Sequence, residues 1–146
     1  MTGLHIAIGV ALIATNAAAG LWGAWRWHRR EPSRGFWILL RAGQALVLIA
    51  AADGLVLVLQ GKELPRLHLI YGLVPIGVAF FAEQLRLVSA QTILDRRGLE
   101  SAQDVGRLPQ ADQRAVVLDI VCREMGIMAA SAVVVALLGI RAAGGL

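Results

Sequence analysis

The chain has 146 residues, of which 58% are hydrophobic and 16% charged, and its formal net charge is +4. A mean hydropathy of +0.67 is more than a small water-soluble domain can bury, so the composition excludes a soluble globular fold and predicts an integral membrane protein. The excess of arginine and lysine over aspartate and glutamate is typical of basic residues beside membrane spans and indicates no nucleic-acid partner. The single cysteine excludes an internal disulfide.

Four segments are long and apolar enough to cross a bilayer, which requires about 20 residues. We expect an all-α, four-helix up-down-up-down bundle that forms one domain over residues 1–146, with a polar loop at 94–115. The predicted spans are residues 4–27, 36–60, 67–90 and 116–140.

The basic residues predict the orientation of these spans. They are concentrated in the connections 26–35 and 94–115, whereas the 61–66 turn holds only Lys62 and Arg66. Because lysine and arginine beside spans stay in the cytoplasm, we expect both termini and the 61–66 turn outside a cell membrane. Four tryptophans near the inner boundary are typical of an interfacial aromatic belt: Trp22, Trp25, Trp27 and Trp37.

Two of the spans open with the same phrase, Leu-His-apolar-x-x-Gly-apolar, at residues 4–10 and 67–73. It contains His5 and His68, two of only three histidines. A residue four positions on lies on the same helix face, so Gly9 and Gly72 would leave a slot beside each imidazole. A weaker repeat occurs in the other two spans, where an arginine is followed closely by a glycine, at Arg41 and Gly43 and at Arg123 and Gly126. It suggests a duplicated helical hairpin.

The two histidines should lie at matched depth near the outer surface. Helices 1 and 3 face each other diagonally in an up-down bundle, so the imidazoles would face each other and bind one b-type haem between them. The simpler interpretation is that the small residues pack helices together and that each histidine only meets headgroups or water.

In helix count and in the His5 and His68 phrases, the chain resembles the four-helix membrane b-type cytochromes, such as the cytochrome b561 and haem A synthase groups. The resemblance implies haem b held by these histidines. It differs from the b561 pattern of four ligating histidines, because the third histidine, His28, lies at the opposite surface; at most one haem is implied. The remaining residues of the predicted cofactor site, near the outer surface, are Tyr71, Lys62, Arg66 and Arg141.

Ionisable residues inside spans are costly and are usually paired. Arg41 and Glu83 should contact each other near the inner interface, while Arg86 and Arg123 extend toward the headgroups and Glu124 lies at the same depth. The alternative is a quinone-head or ion site on the cytoplasmic side.

Two further polar residues lie deeper. Asp53 has no basic residue at its depth in its own span, so Tyr71 or Ser131 is its expected hydrogen-bond partner, or it is protonated. Asn16, near mid-membrane, predicts an interhelical hydrogen bond.

No catalytic motif is present, so an enzyme with its own bond-breaking chemistry is not expected. Electron transfer is the predicted role, with a quinone or a redox protein as partner in a lipid bilayer. Two other functions are open: a cofactor-free accessory subunit of a larger membrane complex, or a small proton-coupled transporter that uses Asp53 and Glu83, which would need to form a homo-oligomer.

Overall fold

The computed structural model describes residues 3–63 and 65–144, and this part of the chain is helical without strands. The helices are α1 (Gly3–His28), α2 (Arg34–Leu59), α3 (Arg66–Arg96), α4 (Ala102–Gly106) and α5 (Gln110–Ala142). All of them except α4 are long and apolar enough to cross a membrane. The predicted spans therefore correspond to α1, α2, α3 and α5, and the helices α3 and α5 continue beyond the spans into the 94–115 segment.

The helix ends follow from local chemistry. The Ser33 side chain accepts a hydrogen bond from the backbone N–H of Phe36 and caps α2, which satisfies a donor that the first turn leaves free. Gly61 after α2 and Gly98 after α3 have positive φ angles of 77° and 69°, which glycine adopts without steric cost. Pro109 precedes α5, where its missing N–H costs no hydrogen bond.

The long helices surround a core of small and flexible side chains. α1 packs along α2 and α5, α3 packs along α5, and α2 meets α3 over a shorter stretch. The larger cluster of the core contains residues of all four long helices: Ala19, Phe36, Leu40, Ala82, Met125, Met128, Ala129 and Ala132.

The closest helix approach involves glycines of α1. A Cβ built at Gly20 would lie 2.6 Å from Val133 Cγ2, and one built at Gly23 would lie 2.4 Å from the Phe36 ring. Small residues allow backbones to approach closely where lipid supplies no hydrophobic driving force. The interpretation that small residues pack helices together is therefore correct for these glycines of α1.

Candidate functional site

His5 and His68 point at each other. Their Nε2 atoms are 3.4 Å apart and their ring centroids are 5.6 Å apart. The difference, 5.6 − 3.4 = 2.2 Å, is about twice the distance from an imidazole centre to one of its ring atoms. Both nitrogens therefore lie nearly on the line between the ring centres, and the two rings meet end-on.

The other nitrogen of each ring faces an oxygen. His5 Nδ1 lies 2.7 Å from Asp53 Oδ2, and His68 Nδ1 lies 3.0 Å from the carbonyl oxygen of Ala142. Asp53 belongs to α2 and Ala142 is the last residue of α5, so each long helix contributes one group. The pair of imidazoles is thereby fixed in orientation from both sides.

These contacts constrain the protons on the rings. A backbone carbonyl only accepts, so His68 Nδ1 must carry a hydrogen. If Asp53 is ionised it also only accepts, and His5 Nδ1 then carries a hydrogen as well. Both Nε2 atoms would then present lone pairs to each other across 3.4 Å. That arrangement is favourable only with a positive centre between them, either a metal or a shared proton.

The residues present fit a haem iron held by two histidines. Ligating histidines usually donate their second N–H to a carboxylate or a backbone carbonyl, as these two do. Imidazole–metal distances of about 2 Å place the two Nε2 atoms about 4 Å apart, so the rings would need to separate by roughly half an ångström. A Cβ at Gly9 or Gly72 would meet no atom within 4 Å, and Gly72 is exposed, so neither glycine is in close contact with a neighbouring helix.

Charged and aromatic groups flank this pair. The Arg141 guanidinium lies 5.5 Å from the centre of the Tyr71 ring, next in sequence to the carbonyl that holds His68. Lys62 and Arg66 are exposed at the same end of the helices. His5 is buried and His68 is half-buried, so the site is shallow and its cations face outward.

The expected partners of Asp53 are wrong. Its carboxylate bonds to His5, whereas the Tyr71 ring packs under Arg141 and Ser131 lines a groove between α3 and α5. The reason is rotational: the side of α2 that carries Asp53 and Gly54 faces α1, and a Cβ at Gly54 would lie 3.8 Å from His5 Cε1.

A second polar cluster lies far along the helices from the histidines. Glu83 accepts hydrogen bonds from Arg41, from Gln44 at 3.1 Å and from Arg86 at 2.9 Å. The predicted Arg41–Glu83 contact is present, and Arg86 also lies 3.6 Å from Glu124. Arg86 is therefore held inside the cluster and does not extend freely toward headgroups, because two carboxylates neutralise it.

Asn16 also differs from expectation. The Asn16 amide donates to the Leu12 carbonyl within its own helix at 2.9 Å, and it faces Gly43, where a Cβ would lie 2.9 Å away. The glycine leaves room for the amide but offers no side-chain partner. Arg123 has a buried Nε without a hydrogen-bond partner among the described residues, so its inner part is packed against protein.

Sequence reasoning missed two groups of the histidine site, the Asp53 carboxylate as a partner of His5 and the Ala142 carbonyl. Counting residues along the helices placed Asp53 deeper than His5, so the sequence carried no clear signal for this contact. No group of three or more His, Cys, Asp or Glu side chains that could bind a metal ion occurs within residues 3–63 and 65–144; a bis-histidine haem requires only two. No protein-family model, curated protein or solved structure matches this chain.

Proposed function

We propose that this chain is a membrane b-type haem protein that transfers electrons, with His5 and His68 as the two axial ligands. One observation carries the proposal: the two Nε2 atoms face each other end-on at 3.4 Å while both Nδ1 atoms are occupied by oxygen acceptors. Bound haem would supply one-electron exchange without bond breaking, in keeping with the absence of a catalytic motif in the sequence.

Within this proposal the chain's own residues have separate tasks. Asp53 and the Ala142 carbonyl hold the two rings in the tautomer that places a lone pair on each Nε2. Arg141, Lys62 and Arg66 offer positive charge to the carboxylates of the cofactor at the membrane surface.

The proposed topology is an up-down-up-down bundle, for which the contacts between helices give support. His5 meets Asp53, whereas Gly23 meets Phe36, so residue numbers rise in α1 as they fall in α2. The basic connections argue for both termini outside the cell membrane and for loops 26–35 and 94–115 in the cytoplasm. A duplicated hairpin, a quinone or redox-protein partner and a homo-oligomer or larger complex belong to the same proposal.

Proton transfer is the second candidate function. The Nε2–Nε2 separation of 3.4 Å is also a hydrogen-bonding distance, and with the Asp53 contact it makes a continuous chain from Asp53 through His5 to His68. In that case the positive centre between the rings is a proton, and no haem is bound. A cofactor-free accessory subunit would need neither a haem iron nor a shared proton between the two imidazoles.

Absorption spectroscopy of the protein, purified in detergent after expression with ample haem, separates these candidates. We expect a Soret band with the sharp low-spin signature of two nitrogen ligands. His5→Ala and His68→Ala should each abolish that signature, and His28→Ala is the matched control that should retain it. Asp53→Asn should keep the band but shift the reduction potential upward, because the ligand set is intact and the negative charge is lost. A colourless wild-type protein would refute the haem proposal.

A further inference from the structure

A basic cavity lies at the end of α1 and α3 opposite the histidines. It has a volume of about 520 Å³, and its polar lining comes from Arg30 just after α1 and from Asp119 and Arg123 in α5. The Trp27 ring closes one side by packing on Gly126, where a Cβ would lie 2.8 Å from the indole nitrogen. The cavity is therefore at a helix boundary, as an interfacial site must be.

Positive charge is in excess in this cavity. Asp119 accepts hydrogen bonds from Arg30 and from Arg97, which follows α3. Arg123 lies four residues from Asp119, on the same face of α5, and its buried Nε has no hydrogen-bond partner among the described residues. Among the residues described, Asp119 is the one acidic group in the lining. The cavity is thus lined by two guanidinium groups and one carboxylate, which Arg97 also contacts from outside the lining, and an anion would balance the excess positive charge.

An apolar groove continues directly from this cavity. It has a volume of about 650 Å³ between α3 and α5, and Ile127 and Ala130 line both the groove and the cavity. On α3 the lining extends from Leu85 to Leu73, which at 1.5 Å per residue is about 18 Å. An acyl chain that spans one leaflet of the hydrocarbon core is about 15 Å long, so the groove is long enough to hold one chain.

We propose that this joined cavity and groove form a binding site for an anionic phospholipid. The phosphate occupies the basic cavity, with Arg123 and Arg30 as its donors, and one acyl chain lies in the groove between α3 and α5. Basic pockets between transmembrane helices on the cytoplasmic side bind acidic headgroups in this manner. The site requires no haem and is independent of the histidine pair.

The two-part chemistry favours a lipid over other occupants. A quinone ring is neutral and would leave the excess guanidinium charge unbalanced. A second copy of this chain would bring apolar helix surface to the groove but no anion to the cavity. An anionic phospholipid supplies both an anion for the cavity and an apolar acyl chain for the groove, covalently joined in one molecule.

Native mass spectrometry of the detergent-purified full chain tests the proposal. The protein is mixed with equal amounts of phosphatidylglycerol and phosphatidylcholine that carry identical acyl chains. We expect phosphatidylglycerol to bind about tenfold more tightly. Both lipids carry the phosphate, but the quaternary ammonium of phosphatidylcholine cancels its charge and is repelled by the arginines. Arg123→Gln should remove most of this preference, and Arg123→Lys should keep it, which shows whether a loss reflects charge rather than misfolding.

The control and the groove have variants of their own. Arg114 lies nine residues before Arg123, on the opposite face of α5, and is exposed, so Arg114→Gln should leave the preference unchanged. Ala130→Phe fills the junction and should weaken both lipids several-fold, whereas Ala52→Phe on the exposed side of α2 should not. Equal binding of the two lipids by wild type would overturn the proposal. So would inorganic phosphate that displaces the lipid at millimolar concentration, because the groove would then contribute nothing.

Discussion

The contact between Gly23 and the Phe36 ring allows a stability prediction with an internal control. An alanine Cβ at position 23 would lie 2.4 Å from Phe36 Cε2 and 2.8 Å from the Ala129 Cβ. Phe36 is fully buried and Ala129 nearly so, so neither can move without disturbing the core. Overpacking of this kind costs about 1–3 kcal/mol. Replacing a helical glycine by alanine gains about 1 kcal/mol in helix propensity, which offsets part of that cost.

Gly9→Ala is the matched comparison, because Gly9 lies in the same helix and a Cβ there would meet no atom within 4 Å. Both variants share the propensity gain, so the difference between their free energies of unfolding isolates the clash. We expect Gly23→Ala to be less stable than Gly9→Ala by about 1–3 kcal/mol. Equilibrium unfolding in mixed detergent micelles, followed by circular dichroism, measures both. Equal unfolding free energies would show that α1 does not pack on Phe36 as described.

Two further predictions concern charge and orientation. Glu83→Gln should lower the free energy of unfolding by roughly 1–2 kcal/mol, since Arg41 loses its carboxylate and Arg86 keeps only that of Glu124; thermal unfolding with Glu83→Asp as control tests this, and an unchanged midpoint would contradict it. In a cysteine-free background, Ser101→Cys should react with an impermeant maleimide only from the cytoplasm and Lys62→Cys only from outside, because basic connections are retained inside; the reverse pattern would invert the topology.

Much of the fold could be predicted from local pattern. Apolar length alone located the long helices. Four- and seven-residue spacing places His5, Leu12, Asn16 and Gly23 on one face of α1, and all four residues are buried. The same spacing from His68 predicts burial less accurately on α3, because Pro75 is buried but Gly72 is exposed. The polar and apolar residues of α3 are spread around all sides of the helix, so periodicity carries little information about which side faces the bundle.

The composition of the site was harder to predict than its location. The repeated Leu-His phrase brought His5 and His68 together correctly, because equal depth in two helices is visible in sequence. The pairing of Asp53 with His5 depends on how α2 is rotated about its own axis, which only the packing against α1 determines. The Ala142 carbonyl is a backbone group and leaves no trace in residue identity.

The haem content of the purified wild-type protein tests the central claim most directly. The ratio of haem to protein, determined from the alkaline pyridine spectrum and the protein concentration, should approach one per chain, because the sequence offers one pair of facing histidines. A ratio near zero after expression with ample haem would contradict the account. Such a result would leave the facing imidazoles as a proton-sharing pair held between Asp53 and Ala142.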